Sequence, residues 1–316
     1  MIQSKIKQNI PLAPLTTFKI GGPAKYFVET ETKGELAAAF DWARENKEPV
    51  FVLAGGSNVL INDKGVDGLV VKICNSGIKV MGQRLDCGAG AGLMAAARTA
   101  ISANLTGLEW AIGIPGTVGG AVRGNAGAYG KSMSGAVETV TVFDAKKKNF
   151  FIFSNKDCRF DYKESVFKGD NGEQSRLIWQ VIIKLENGNA AEIKELSDKY
   201  LKYRQQTQPK LPSAGCVFKN LLIANLRECD ENLANEAIET GAGKDDKVGA
   251  GWLIDKLGLK GKAIGGAKIS LEHANFIVNT GKATAEDVVA LISFIKQQAR
   301  DKFGVQLREE IEYLGF

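Results

Sequence analysis

The chain has 316 residues, 44% hydrophobic and 24% charged, a length and balance that allow two or three domains and exclude a collagen, a disordered tail or a disulfide-rich miniprotein. Its 41 basic and 36 acidic residues leave a mild +5, and the one tight basic run, Lys146-Lys147-Lys148, reads as a solvated turn, not as a nucleic-acid footprint, which needs basic residues gathered on one face. Five cysteines (Cys74, Cys87, Cys158, Cys216 and Cys229) without C-x-x-C spacing argue against a disulfide framework or zinc site, and a single histidine, His273, leaves a Ser-His-Asp triad or His-rich metal centre at most one candidate.

The N-terminal MIQSKIKQNIPLAPLTTF has no apolar signal-like core. No run reaches the ~18 apolar residues of a membrane span, so a cytoplasmic chain is expected. Residues 25–30 read as a strand. Thr32 is placed to cap a helix over Lys33–Asn46, with Leu36, Phe40 and Ala43 on one face. Residues 50–54 form a buried-strand run, followed by Gly55-Gly56-Ser57-Asn58 and a second apolar run at 59–62. That four-residue segment is either a cradle of backbone N–H groups for phosphate oxygens or a plain hairpin turn. Near Arg84–Cys87 a strand leads into GAGAG (88–92) and a helix over Leu93–Asn104. This imitates a dinucleotide fingerprint but has Leu93 at the third glycine position.

Glycine is the compositional deviation, 36 residues or about 11% against a usual ~7%. It concentrates in GLEWAIGIPGTVGGAVRGNAGAYGKS (107–132), which holds eight glycines. The end of this stretch looks like a Walker A loop but is one residue too long, which argues against ATP hydrolysis. A long, nearly neutral glycine loop suits either close approach to a large flat ligand or backbone packed on backbone. Strands at 140–145 and 150–154 flank the lysine turn as a hairpin, and 158–168 reads as irregular. Residues 177–186 suit a central strand. A helix over Ala190–Gln206 carries Ile193, Leu196, Tyr200 and Tyr203 at helical spacing, and the proline-containing 206–215 reads as an inter-domain crossing. Beyond it come a short helix within 247–261, a strand and turn at 273–281, and a long helix capped by Thr284 and ended by Gly304. Val288, Leu291, Ile292 and Ile295 lie on that helix's face, and a last strand is expected through 305–314.

Seven segments, in order, carry a resemblance: LTTFKIGGPAKYF (15–27), VLAGGSNVLIND (52–63), GLEWAIGIPGTVGGAVRGNAGAYG (107–130), CRFDYKESVFK (158–168), PSAGCVFKN (212–220), HANFIVNTG (273–281) and LREEIEYLG (307–315). Together the chain resembles the UDP-N-acetylenolpyruvoylglucosamine reductase family, the MurB flavoenzymes of peptidoglycan precursor synthesis, in the compact form that lacks an extra tyrosine-bearing loop. The resemblance implies an α+β fold: a two-subdomain FAD-binding domain of the vanillyl-alcohol-oxidase (PCMH) type (1–70 and 71–205) and a C-terminal substrate-binding domain (206–316). It implies bound FAD, NADPH as co-substrate, and a small-molecule nucleotide-sugar substrate, with no nucleic acid, membrane or metal involved, and a monomer. Because there is no separate NADP fingerprint, NADPH and substrate are expected to use one pocket in turn.

The resemblance also assigns residues. FAD falls to Gly55, Gly56, Ser57, Asn58, Leu60, Pro115, Gly116, Thr117, Gly119, Gly120, Asn125, Ala126 and Gly127. Tyr129, Arg204, Lys219, Asn220 and Asn275 fall to substrate or flavin. Cys216 stands where the family's proton donor is more often serine; a thiol, with a reference pKa near 8.5, is the stronger acid. Glu310 matches a glutamate that helps to polarise the intermediate. Lys163 stands where the family has an arginine on the substrate carboxylate, so the charge is kept and the two-pronged geometry lost. Either Lys163 serves with altered geometry, or Arg159 or another cation compensates, or activity is weak. His273 is expected to be structural or near the substrate groove. Two other readings stand beside this one: a non-catalytic FAD or nucleotide-sugar binder, favoured by Lys163, and a different oxidase on the same scaffold, opposed by PSAGCVFKN.

Overall fold

The computed structural model describes residues 2–169 and 175–316. They divide into two compact units, each assembled from separate stretches of chain: Met1–Ile10, Ala24–Gly56 and Val66–Gln206 in the first, Pro11–Pro23, Ser57–Gly65 and Thr207–Phe316 in the second.

The first unit holds two sheets. One runs in the order Lys7–Pro11, Pro23–Thr30, Val66–Ile73, Val50–Leu53, with the last three parallel. Helix Lys33–Glu45 begins on a capping box: the Thr32 hydroxyl accepts from the Glu35 N–H while the Glu35 carboxylate takes the Thr32 N–H. It buries Leu36, Ala39 and Ala43. Phe40, expected on that face, is half-buried and edge-on to Phe143 at 5.3 Å. The second sheet is antiparallel, ordered Asn149–Ser154, Val137–Asp144, Arg176–Lys184, Arg84–Gly88, Ile78–Met81. Arg176–Lys184 is central, as its apolar run requires, and buries Leu177, Ile178, Trp179, Val181 and Ile183. Helices Leu93–Ser102 and Val118–Arg123 lay Leu93, Ala96, Ala97, Ala100, Val118 and Val122 into the same core. Each large aliphatic side chain buried this way contributes ~1.5–3 kcal/mol.

Two readings are corrected in this unit, and the exclusion of a P-loop holds. Strands Val50–Leu53 and Val59–Ile61 belong to different sheets, so Gly55–Asn58 is not a hairpin turn; the chain passes from one unit to the other between Gly56 and Ser57. Lys131–Ser132, which should open a helix in a P-loop, instead pairs with Gly127–Ala128 as a short hairpin. On helix Ala190–Thr207, Ile193 and Ser197 are buried and Tyr200 packs half-buried against the core, while Leu196 and Tyr203 are exposed, so only Ile193 and Tyr200 of the stripe read as one apolar face turn inward.

The second unit has a four-stranded antiparallel sheet, Ser213–Cys216, Phe276–Asn279, Ala267–Ile269, Ala263–Ile264. Its core gathers Leu253, Ile254, Ile269, Ile277, Val288, Leu291, Ile292 and Ile295. Helix Ala285–Phe303 starts on a Thr284–Asp287 capping box and stops at Gly304, whose φ of 68° is left-handed. Both Asp63 oxygens add to the cap, accepting from the N–H groups of Ala285 (2.9 Å) and Glu286 (3.2 Å). The expected terminal strand over 305–314 is shorter. Only Glu312–Leu314 is a strand, parallel to Val59–Ile61, while Glu309 makes a single bridge to Phe218. Between Val305 and Ile311 the chain finds a partner one peptide at a time, so only Glu312–Leu314 forms a ladder. Helices Ile223–Cys229 and Glu231–Glu239 lie in a stretch that the sequence reading leaves without elements. Among the described residues no helix is long and apolar enough to cross a membrane.

Candidate functional site

In the second unit, short backbone contacts draw together residues far apart in sequence. Gly215, at a left-handed φ of 79° where an added Cβ would meet nothing, turns the chain into Cys216. Cys216 ends its strand opposite Phe276 and is half-buried. The next carbonyl, of Val217, accepts from the Glu310 N–H at 2.7 Å, and the Lys219 N–H donates to Arg308 at 2.9 Å. The Asn58 side chain donates to the Glu310 carbonyl at 3.1 Å, and the Asn58 carbonyl accepts from Glu312 at 3.0 Å. Asn275 binds both backbone groups of Phe218 at 2.9 Å. Asn220 accepts from Ala250 (3.2 Å), tying helix Ala250–Lys256 to the same segment. Cys216, Glu310, Asn58, Lys219, Asn220 and Asn275, expected for three different tasks, thus share one hydrogen-bonded frame. Leu60 is fully buried, on the strand beside it.

In the first unit, three glycine-bearing loops touch backbone to backbone. A Cβ on Gly55 would stand 2.8 Å from the Gly116 Cα, and one on Gly119 would stand 2.8 Å from the Ala89 Cβ. Gly116, Val118 and Gly119 exchange hydrogen bonds with Leu93, Ala91 and Ala89, so GAGAG serves as a seat for the 115–120 loop and not as a dinucleotide turn. Gly55, Gly119 and Gly127, which would collide with Lys131, are therefore needed for packing, whereas Gly120 and Gly124 would meet nothing nearer than 3.4 Å. Gly56 and Pro115 lie on the same two loops. Among the described residues no hydrogen bond takes the N–H of Gly55, Gly116 or Thr117. Unclaimed N–H groups on touching, side-chain-poor loops suit the diphosphate and flat ring of a flavin dinucleotide, so these residues fit that cofactor.

The loop continues through Asn125 and Ala126. The Asn125 side chain is committed within the protein, donating to the Asp161 carbonyl (2.8 Å) and accepting from Ser134 (3.0 Å). Ser165 donates to the Arg123 carbonyl at 2.6 Å. These two bonds fasten a tight hairpin, Asp161 to Glu164, against the glycine loop. Lys163 is on its tip, half-buried at a φ of 57°, a left-handed conformation that costs a non-glycine residue ~1–2 kcal/mol. Arg159, the alternative cation, is exposed. Tyr129, also left-handed (φ 54°), stacks on Tyr200 with centroids 4.0 Å apart and planes within 5°. The Arg204 guanidinium lies 5.2 Å from the Tyr129 ring and donates to the Trp110 carbonyl at 3.1 Å. Burial pushes the Tyr129 phenol up, and the Arg204 charge opposes it.

Sequence reasoning overlooked Tyr200 as a ring partner, reading it as one member of an apolar stripe. It also overlooked Glu109, buried at 5% exposure, with one oxygen accepting from Gly107 and the other without a hydrogen-bond partner. A lone carboxylate in LEWAIGIPG was the available signal. Burial pushes the Cys87 and Cys158 thiols up to about 12, which makes them inert at neutral pH. His273 is half-buried and accepts from the Asn275 N–H through Nδ1 (3.2 Å); burial, then the nearby Lys260 charge, pushes its pKa down. Among the described residues no group of three or more His, Cys, Asp or Glu could hold a metal ion.

A family model for the C-terminal domain of UDP-N-acetylenolpyruvoylglucosamine reductase matches residues 206–314, and one for an FAD binding domain matches 24–146. The reductase of that name from Solibacter usitatus is 37% identical over 311 residues, 98% of this chain and 97% of that one. The one from Caldanaerobacter subterraneus subsp. tengcongensis is 38% identical over 315 residues, covering 99% and 95%. The crystal structure of the Thermus caldophilus reductase (MurB) aligns with a TM-score of 0.77 at 33% identity, covering 98% of this chain and 99% of that one.

Proposed function

The chain belongs to the UDP-N-acetylenolpyruvoylglucosamine reductase family, and from that premise we propose the reaction it carries out: NADPH-dependent reduction of the enolpyruvyl ether of UDP-N-acetylglucosamine to UDP-N-acetylmuramate, in peptidoglycan precursor synthesis. Bound FAD would supply the hydride chemistry that links NADPH to the terminal carbon of the enolpyruvyl double bond. The Gly55–Asn58 and Pro115–Gly127 loops would hold the cofactor, with the N–H groups of Gly55, Gly116 and Thr117 as donors and small side chains leaving room beside its ring.

Hydride addition leaves negative charge on the neighbouring carbon and its carboxylate, and fixed charges or donors there lower the barrier. Lys163 supplies the ammonium for that carboxylate, and the Asn125 and Ser165 bonds that fasten its hairpin hold the charge in place. Glu310 helps to polarise the intermediate. Cys216 then gives its thiol proton to the carbon, which completes the saturated ether. Tyr129, Arg204, Lys219 and Asn220 contact the nucleotide sugar. The working division is threefold, with 1–70 and 71–205 for flavin and 206–316 for substrate, in a monomer in the cytoplasm.

The observation that supports the assignment of Cys216 and Glu310 is the 2.7 Å bond from the Glu310 N–H to the Val217 carbonyl, which sets the two residues on one backbone frame. The test is anaerobic. The purified yellow protein should bleach with NADPH and regain its colour on addition of the enolpyruvyl nucleotide sugar, with the saturated ether as product. Bleaching without recolouring would leave a flavin protein of another activity, and no bleaching would leave a binding protein.

A further inference from the structure

We propose that Asn275 is a positioning residue for the proton-transfer step and not a substrate ligand, an inference that rests on the reaction proposed above. The residue is 3% exposed and its side-chain amide is bonded within the protein at both ends. Oδ1 accepts from the Phe218 N–H and Nδ2 donates to the Phe218 carbonyl, both at 2.9 Å. The Asn275 carbonyl accepts from the Val217 N–H at 2.8 Å. A side-chain amide has the same donor and acceptor as a peptide group, so here it stands in for a strand neighbour. It does so where the ladder ends: strand Ser213–Cys216 pairs with Phe276–Asn279 only as far as Cys216 opposite Phe276, with an irregularity between the two paired positions.

The peptide so gripped has two tasks. Cys216 precedes it, and the Val217 carbonyl is the acceptor for the Glu310 N–H at 2.7 Å. From the other side Asn58 holds the Glu310 carbonyl at 3.1 Å. Asn275 therefore holds the backbone from Val217 to Phe218: its carbonyl takes the Val217 N–H beside Cys216, and its side chain takes the Phe218 N–H, in the same peptide as the Val217 carbonyl that receives the Glu310 N–H. Aspartate at this position keeps the acceptor, loses the donor and brings a buried charge. Alanine loses both bonds.

The test uses the FAD-loaded enzyme with Asn275→Asp and Asn275→Ala. Anaerobic stopped-flow separates flavin reduction by NADPH from re-oxidation by the enolpyruvyl nucleotide sugar, and absorbance titration gives the sugar's dissociation constant. Misplacement of reacting groups by an ångström costs about 100-fold, so the saturating re-oxidation rate should fall by about that factor in the alanine variant and less in the aspartate variant. The dissociation constant should stay within about threefold. Amide hydrogen exchange at Val217, Phe218 and Glu310 should speed up in both variants. A weakened dissociation constant with an unaltered saturating rate would make Asn275 a substrate ligand and overturn the proposal, as would unaltered exchange at those three amides. If the alanine variant loses its flavin, the aspartate variant decides on the same measurements. If the unmodified enzyme is not re-oxidised by this sugar, the reaction reading fails, and the exchange measurement still decides whether Asn275 holds the frame.

Discussion

In the reaction proposed above the Cys216 thiol is the proton donor. Cys216→Ala should leave NADPH-to-flavin electron transfer nearly intact and lower product formation by ~100- to 10,000-fold, the usual worth of a positioned proton donor, with Cys216→Ser recovering much of the loss. Equal damage to both half-reactions would mean a packing role. Lys163 is the residue proposed for the substrate carboxylate. Lys163→Met keeps length and deletes the ammonium, and should slow single-turnover re-oxidation by ~100-fold, about 3 kcal/mol. Re-oxidation at the unmodified rate would shift the assignment to Arg159. Lys163→Arg should retain or raise the rate. His273 makes a prediction about stability. Burial holds it below the ordinary imidazole value of 6.5. As pH falls through 6.5 the unfolded chain takes its proton first. Stability is therefore full above that value and is lost as pH drops toward the folded one. Melting temperature should fall between about pH 7.5 and about pH 5.5, and His273→Gln should flatten that fall; an equal drop in the variant would place the sensitivity elsewhere. None of these roles was legible from composition. Cys216 alone reads as an ordinary small hydrophobe, and Glu310 has Glu309 and Glu312 beside it; only the surrounding motifs single them out.

At the level of elements, local signals were legible and distant ones were not. Thr32 with Glu35 and Thr284 with Asp287 announce their helices because a cap is decided within four residues. The Val137–Asp144 and Asn149–Ser154 hairpin is likewise closed by its own lysine turn. Asp230, which caps helix Glu231–Glu239 by accepting from Leu233 at 2.9 Å, offered the same signal and was passed over. Asp63 could not be read this way, since the helix it caps lies more than 200 residues downstream. Asp63→Ala should remove two acceptors from that helix and cost ~1–2 kcal/mol. In a chain of this size that is roughly 2–4 °C of melting temperature, read by calorimetry. No change would mean that the Thr284–Asp287 box caps the helix alone. Tyr200 illustrates a half-read signal: its spacing from Ile193 is right for a core face, against which it packs half-buried, yet spacing could not show that its ring also stacks on Tyr129.

Across the whole molecule the chain changes unit at Ile10, Pro23, Gly56, Gly65 and Gln206. The last crossing, beside the two prolines of 206–215, is the one that composition marks; the earlier ones fall inside motifs that read as continuous. A fragment of residues 207–316 therefore lacks Val59–Ile61, the partner of Glu312–Leu314, along with Phe18, Ile20 and Leu60 from its core. It should give a poorly dispersed amide spectrum and no cooperative melt, whereas a sharp cooperative transition would mean that the two short inserts are dispensable. The same interleaving imposes an order on the chain's synthesis. Asn58 leaves the ribosome 252 residues ahead of Glu310, the residue whose carbonyl it holds. At ~5–20 residues per second the 110 residues from Thr207 to Phe316 alone take roughly 5–20 s, during which the apolar strand around Leu60 has no partner strand. For that interval the nascent protein carries an unpaired, aggregation-prone edge. Its yield in a cell should therefore depend on how quickly the ribosome finishes and on which chaperone covers residues 59–61 meanwhile.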